Sequence, residues 1–133
     1  MTLPPPSRPH VLLIDDDVAI HRIFERLLGD RVYLLAVTRA SEALARIASG
    51  NRYDAVVCDV QIPGLTGAEF MRELCRLDAA QAARVLFISG GVLDKATLAF
   101  LRSLPNQLIA KPFTIAELRA AVHSACTRHA WAA

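Results

Sequence analysis

The chain predicts an α/β fold in which a five-stranded parallel sheet is wound on both sides by helices. Three observations carry that expectation. Five short apolar runs recur along the chain: Val11-Leu12-Leu13-Ile14, Val32 to Val37, Ala55-Val56-Val57-Cys58, Val85-Leu86-Phe87-Ile88 and Leu108-Ile109-Ala110. Each is of strand length, and between them apolar residues return at helical spacing. The runs are apolar throughout rather than alternating, as in strands buried on both faces of a helix-covered parallel sheet. Right-handed crossovers then leave few topologies, among them the strand order 2-1-3-4-5.

Taken in order, residues 1–9 contain Pro4-Pro5-Pro6 and Pro9 without apolar periodicity, so they read as an extended or disordered lead-in or linker. The first strand ends in Asp15-Asp16-Asp17. A helix follows, with Ile20, Ile23, Phe24, Leu27 and Leu28 on one side and Gly29 at its end. After the second strand, Ser41 is placed to cap a helix that carries Leu44, Ile47 and Ala48 and stops near Gly50. The third strand runs into Asp59, and Pro63-Gly64 suits the two central positions of a tight turn. Gly67 opens a helix with Phe70, Met71, Leu74 and Leu77 on one face. The fourth strand ends in Ser89-Gly90-Gly91. Asp94 caps the next helix, Leu93 and Leu98 form a hydrophobic staple, and Pro105 closes it. The fifth strand enters Lys111-Pro112-Phe113, and the last helix starts at the capping box Thr114-Ile115-Ala116-Glu117. Five strands thus alternate with five helices in one domain, residues 10–128, with 129–133 as a frayed tail.

The totals are those of an ordinary globular domain: 53% apolar, 21% charged, net charge +2. The basic residues are scattered, which speaks against a nucleic-acid surface or a membrane patch. Cys58, Cys75 and Cys126 match neither a disulfide framework nor a zinc site and read as reduced core residues. No apolar stretch approaches the roughly 18 residues of a membrane span. Nor does an apolar signal segment open the chain, so the expected compartment is the cytoplasm.

In an open parallel sheet, ligands bind beyond the carboxyl ends of the strands, where the strand order reverses. Every unusual polar residue falls there: Asp15 and Asp16 after the first strand, Asp59 after the third, Ser89 after the fourth and Lys111 after the fifth. With the order 2-1-3-4-5, three carboxylates converge in one cleft. Such a cluster needs a counter-charge, and an all-oxygen donor set without His or Cys favours Mg²⁺ over zinc. A carboxylate nucleophile among a metal, a hydroxyl and an ammonium can accept a phosphoryl group. Taken singly, Asp15 to Asp17 could be a solvated helix N-terminus, Ser89 a turn serine and Lys111 a surface lysine. Their joint placement at strand ends carries the functional reading.

These motifs resemble the receiver domains of bacterial two-component response regulators over about residues 10 to 126. The resemblance rests on Val11 to Asp17, Asp59 to Gly64 with Gly67, Ile88-Ser89-Gly90 and Lys111-Pro112-Phe113. It implies a flavodoxin-like fold in which Asp59 takes phosphate from a phosphohistidine of a sensor histidine kinase or histidine phosphotransfer protein. Asp15, Asp16, Asp59 and the backbone carbonyl of Gln61 would arrange Mg²⁺, while Ser89 and Lys111 would contact the phosphoryl oxygens. It also implies a cis Lys111-Pro112 peptide, a homodimer through the fourth and fifth helices, and Gln61 and Gly91 as positions that tune phosphate loss. Two positions depart from the family pattern. Leu108 stands where receivers often carry an aromatic switch residue, so any switch with Ser89 works without an aromatic rotamer change. Thr66 stands where Asp is frequent, a surface change expected to be harmless.

Two other readings are weaker. A receiver-like interaction module that is never phosphorylated would be favoured by loss of Asp59 or Lys111, and both are present. A phosphatase resembling the haloacid-dehalogenase family would need an acid two residues after the nucleophile, where Gln61 stands. The Pro-rich lead-in and C-terminal placement fit a stand-alone receiver or the end of a hybrid sensor histidine kinase.

Overall fold

The computed structural model describes residues 8–62 and 64–127. Most of the lead-in, Pro63 of the expected turn, residue 128 and the tail 129–133 lie outside the described residues. One parallel sheet has the order β2-β1-β3-β4-β5, from β1 (His10–Ile14), β2 (Tyr33–Val37), β3 (Ala55–Asp59), β4 (Val85–Ser89) and β5 (Leu108–Ala110). The helices are α1 (Val18–Leu28), α2 (Ala40–Ala48), α3 (Gly67–Leu77), α4 (Ala79–Ala82), α5 (Lys95–Ser103) and α6 (Ile115–Cys126).

Strand geometry explains why the central runs are apolar throughout. Successive side chains face opposite sides, and both sides are covered. Leu12 and Ile14 of β1 join Val56, Phe87 and the α2, α3 and α5 residues Ile47, Phe70, Leu74 and Leu101 in one cluster. Val11 and Leu13 join Val57, Leu86 and the α1 and α6 residues Phe24, Leu28, Leu118 and Val122 on the other side. Each fully buried Leu, Ile, Val or Phe contributes about 1.5–3 kcal/mol. The sheet is thereby pinned from both sides, and its strand ends are a rigid platform.

Several details differ from the sequence expectation. A sixth helix, the single turn α4, lies between α3 and β4, so the fourth and fifth predicted helices are α5 and α6. Helix α2 starts one residue before Ser41; its N-cap is Arg39, which makes no side-chain capping bond. Ile23 and Leu77, expected on buried faces, are 47% and 41% exposed, because the two helix faces that meet the sheet are narrower than their apolar stripes. Only Cys58 is a core cysteine; Cys75 and Cys126 are half-buried, and all three are free. Thr66, read as a neutral surface change, caps α3: its hydroxyl accepts the Glu69 N–H at 3.1 Å and donates to the Glu69 carboxylate at 3.0 Å.

Two side chains fasten the end of the sheet away from the strand C-termini. Gln81, 2% exposed, accepts from the Tyr53 N–H at 2.8 Å and donates to the Tyr53 carbonyl at 2.9 Å. Arg84 donates to the carbonyls of Asp54 and Cys126, joining the entry of β3 to the end of α6.

Candidate functional site

The strand ends carry the site. Ladder bonds continue past the last strand residues: Asp15 N–H donates to Val37 O at 3.1 Å, Val60 N–H to Ile88 O at 2.9 Å and Lys111 N–H to Ser89 O at 2.7 Å. Asp15, Asp59, Ser89 and Lys111 are therefore held by the sheet rather than by loose loops. Lys111 is followed by the expected cis peptide to Pro112. Gly64, at φ 102°, occupies the left-handed region that the turn after β3 requires.

The ammonium of Lys111 lies 3.4 Å from Asp59 Oδ2 and 3.9 Å from Asp15 Oδ2. The carboxylate side chains are 11% and 4% exposed respectively, and the lysine 28%. Backbone donors fix the other oxygens: Gln61 N–H donates to Asp59 Oδ1 at 2.8 Å, and Asp17 N–H to Asp15 Oδ1 at 2.9 Å. Burial, reinforced by the charge of Asp59, pushes the Asp15 carboxyl up to about 6 against the opposing pull of the Asp17 N–H and Lys111. Directly beneath Asp59, burial and the two carboxylates drive the Cys58 thiol far above its ordinary range, so it stays neutral.

One ammonium faces two buried carboxylates, so when both are ionised the cluster carries more negative than positive charge. Hard oxygen donors with a deficit of positive charge fit Mg²⁺, which commonly uses one or two carboxylates and keeps several waters. Among the described residues no group of three His, Cys, Asp or Glu side chains is arranged to hold a metal ion.

Of the three expected carboxylates, Asp15 and Asp59 meet at the Lys111 ammonium. Asp15 turns inward and is 3% exposed, whereas Asp16 is exposed. Consecutive residues leaving a strand point to opposite sides. Asp16 also lines a neighbouring cavity of about 590 Å³ with Thr38, Arg39, Ser41 and Leu65. Ser89 lies at the rim, and its hydroxyl donates to Gly91 O at 3.3 Å.

A Cβ on Gly90 would meet Lys111 Cδ at 3.0 Å, and one on Gly91 would meet Gln61 Nε2 at 3.0 Å. The two glycines leave room for these side chains. Leu108 is half-buried, pairs in register with Phe87 and packs on the α2/α3/α5 cluster. One neighbour was missed in the sequence: His21 donates from Nε2 to Asp15 O at 2.7 Å, since a carbonyl can only accept. Its position in the first turn of α1, beside the acidic run, was the available signal.

Comparison with known proteins agrees with this geometry. Residues 11–123 match the family model described as response regulator receiver domain. The uncharacterized transcriptional regulatory protein YkoG of Bacillus subtilis is 31% identical over 120 residues, 90% of this chain and 51% of that protein. The transcriptional regulatory protein PrrA of Mycobacterium tuberculosis is 31% identical over 122 residues, 92% and 52% of the respective chains. The chain spans about half the length of these curated relatives. Among solved structures, the receiver domain of a sensor histidine kinase from Pseudomonas aeruginosa superimposes with a TM-score of 0.73. The two are 26% identical over 92% of this chain and 100% of that one, whose active-site cleft holds a magnesium ion. A Francisella response regulator receiver domain gives 0.75 at 26% identity, covering 91% and 98%. With the strand order, the acid-bracketed lysine and the family match in agreement, the chain belongs to the response regulator receiver domains of two-component signalling.

Proposed function

We propose that Asp59 is the phosphoacceptor, taking a phosphoryl group from a phosphohistidine on a sensor histidine kinase or histidine phosphotransfer protein. The observation that carries this reading is the Lys111 ammonium bracketed by Asp59 and Asp15 at 3.4 and 3.9 Å on the ends of three strands. An oxygen of Asp59 attacks phosphorus, the P–N bond breaks with its electron pair returning to the imidazole, and an acyl phosphate forms. Lys111 balances charge on the phosphoryl oxygens without moving far from its present place. Ser89 would exchange its bond to Gly91 O for one to a phosphoryl oxygen, and Leu108, on the adjoining strand, would repack in response.

Asp15, Asp16, Asp59 and the Gln61 backbone carbonyl are the groups that would hold Mg²⁺, directly or through water. When bound, the ion would offset the negative charge that accumulates as the phosphoryl group transfers. Exposed apolar side chains flank the rim on α1 and α6, Val18 at 56% and Ile115 at 48%, and supply a surface for a partner's helices. A homodimer through α5 and α6, domain bounds of 10–128, a cytoplasmic setting, and a stand-alone or hybrid-kinase context complete the reading. Among the described residues no helix is long and apolar enough to cross a membrane.

The test is incubation with acetyl phosphate and Mg²⁺. A stoichiometric, acid-resistant, base-labile adduct that disappears in Asp59→Asn supports the proposal. Labelling that survives in Asp59→Asn removes it.

A further inference from the structure

A second cavity lies between α1 and α6, lined at one end by Pro9 and Cys126, far along the sheet from the strand C-termini. Its volume is about 360 Å³, at the small end of the roughly 300–1,000 Å³ typical of ligand sites. Its apolar wall comes from Leu28, Val32 and Val122. Arg31, Arg119 and His123 line the same space, and no acidic residue does.

Among the described residues none of those three basic side chains makes an ion pair. Arg31 and His123 are exposed. Arg119 donates from Nε and Nη2 to Leu27 O at 3.3 and 3.1 Å, which fixes the guanidinium at the cavity and leaves other donors of its fork uncommitted. Burial and the charge of Asp54 push the neighbouring Cys126 thiol up to about 11, so that wall is uncharged at neutral pH.

We infer that this cavity binds a free medium-chain carboxylate, with its hydrocarbon tail against Leu28, Val32 and Val122 and its anionic head between Arg31, Arg119 and His123. The charge complementarity is one-sided: two guanidinium groups without an acidic partner line an apolar pocket, so the occupant that satisfies both parts carries one anion and one short apolar body. The limited volume matches a small amphiphile rather than a partner helix. Asp59 and Lys111 take no part, so phosphoryl labelling at Asp59 and occupancy of this cavity are separately measurable.

Octanoate is the probe, titrated into the whole chain by calorimetry and by ¹H–¹⁵N NMR. Saturable one-to-one binding is expected, with shifts confined to the α1–α6 cavity and slowed alkylation of Cys126. Acetate lacks the tail and 1-octanol lacks the charge, and neither should saturate. Arg31→Ala and His123→Ala, both at exposed positions that leave the fold intact, should each weaken octanoate binding at least 5-fold, with acetyl phosphate labelling unchanged. Absence of saturation at millimolar octanoate, equal binding of 1-octanol, unaltered affinity in both variants, or capture only by phosphatidylglycerol vesicles overturns the inference.

Discussion

Replacing Lys111 with methionine keeps most of the apolar stem and deletes the ammonium that lies 3.4 Å from Asp59 and 3.9 Å from Asp15. At an effective dielectric of about 20, each of these attractions is worth about 4–5 kcal/mol before desolvation is subtracted. Removing one member of a buried charge pair costs about 3–5 kcal/mol. Lys111 is 28% exposed, which screens part of this, and Asp15 can escape by taking a proton near pH 6. The expected loss for the metal-free protein is therefore about 2 kcal/mol at pH 8. It should shrink towards pH 5, because a carboxyl with a raised pKa weakens the fold only as it ionises.

Mg²⁺ should then stabilise the variant more than the parent. At ten times its Kd a ligand adds about 1.4 kcal/mol. In the variant the ion no longer shares its oxygens with an ammonium, so the gain should be at least about 1 kcal/mol larger. Urea unfolding followed by far-UV circular dichroism, in EDTA and in Mg²⁺ at both pH values, measures each quantity. Equal Mg²⁺ increments in the two proteins, or a loss of the same size at pH 5 and pH 8, would refute the electrostatic account.

Leu74→Ala, at a position 0% exposed in the larger cluster, should cost about 2–5 kcal/mol in urea unfolding with little change in m-value. Asp78 accepts the Gln81 N–H and pairs with Arg52, which lower its pKa below the ordinary 3.8. Its contribution is present above that value and fades as pH falls through the lower folded value. Asp78→Asn should therefore lower stability at pH 7, flatten the acid limb of the stability–pH curve and have least effect once the pH is below the folded value. In native protein at pH 8, iodoacetamide should modify Cys75 and Cys126 well before Cys58, which is 2% exposed. Mass mapping of partly alkylated protein reads the order, and early loss of Cys58 would contradict the packing beneath Asp59.

The fold was legible because its signals are redundant. Each central strand is an unbroken apolar run, and α5 and α6 are announced by Asp94 and Thr114, whose side chains accept from the Thr97 and Glu117 N–H groups. Helix α4 was not legible: Ala79–Ala82 is too short for any periodicity, and it forms because Asp78 caps it and Gln81 is held from outside. Ser41 misled because serine has the right chemistry for a helix cap but stands two positions past the actual N-cap, Arg39. The site's members were legible from their places after strands, but side-chain direction was not. Asp15 is buried and its neighbour Asp16 exposed, a difference that no composition reveals. The glycine pair likewise revealed only that space was needed; that Lys111 and Gln61 fill it depends on neighbours 20 or more positions away.

The paired bonds between Gln81 and Tyr53 have a further consequence. A primary amide presents a donor and an acceptor much as a peptide group does, so this side chain acts as a surrogate rung beside the approach to β3. A carboxylate of the same length offers no donor, and Gln81→Glu would leave one Tyr53 group unserved, at about 1–3 kcal/mol. The single turn that bears Gln81 thus works as a spacer of set length, and inserting a residue between Asp78 and Gln81 should disturb the lead-in to β3 from the end opposite Asp59.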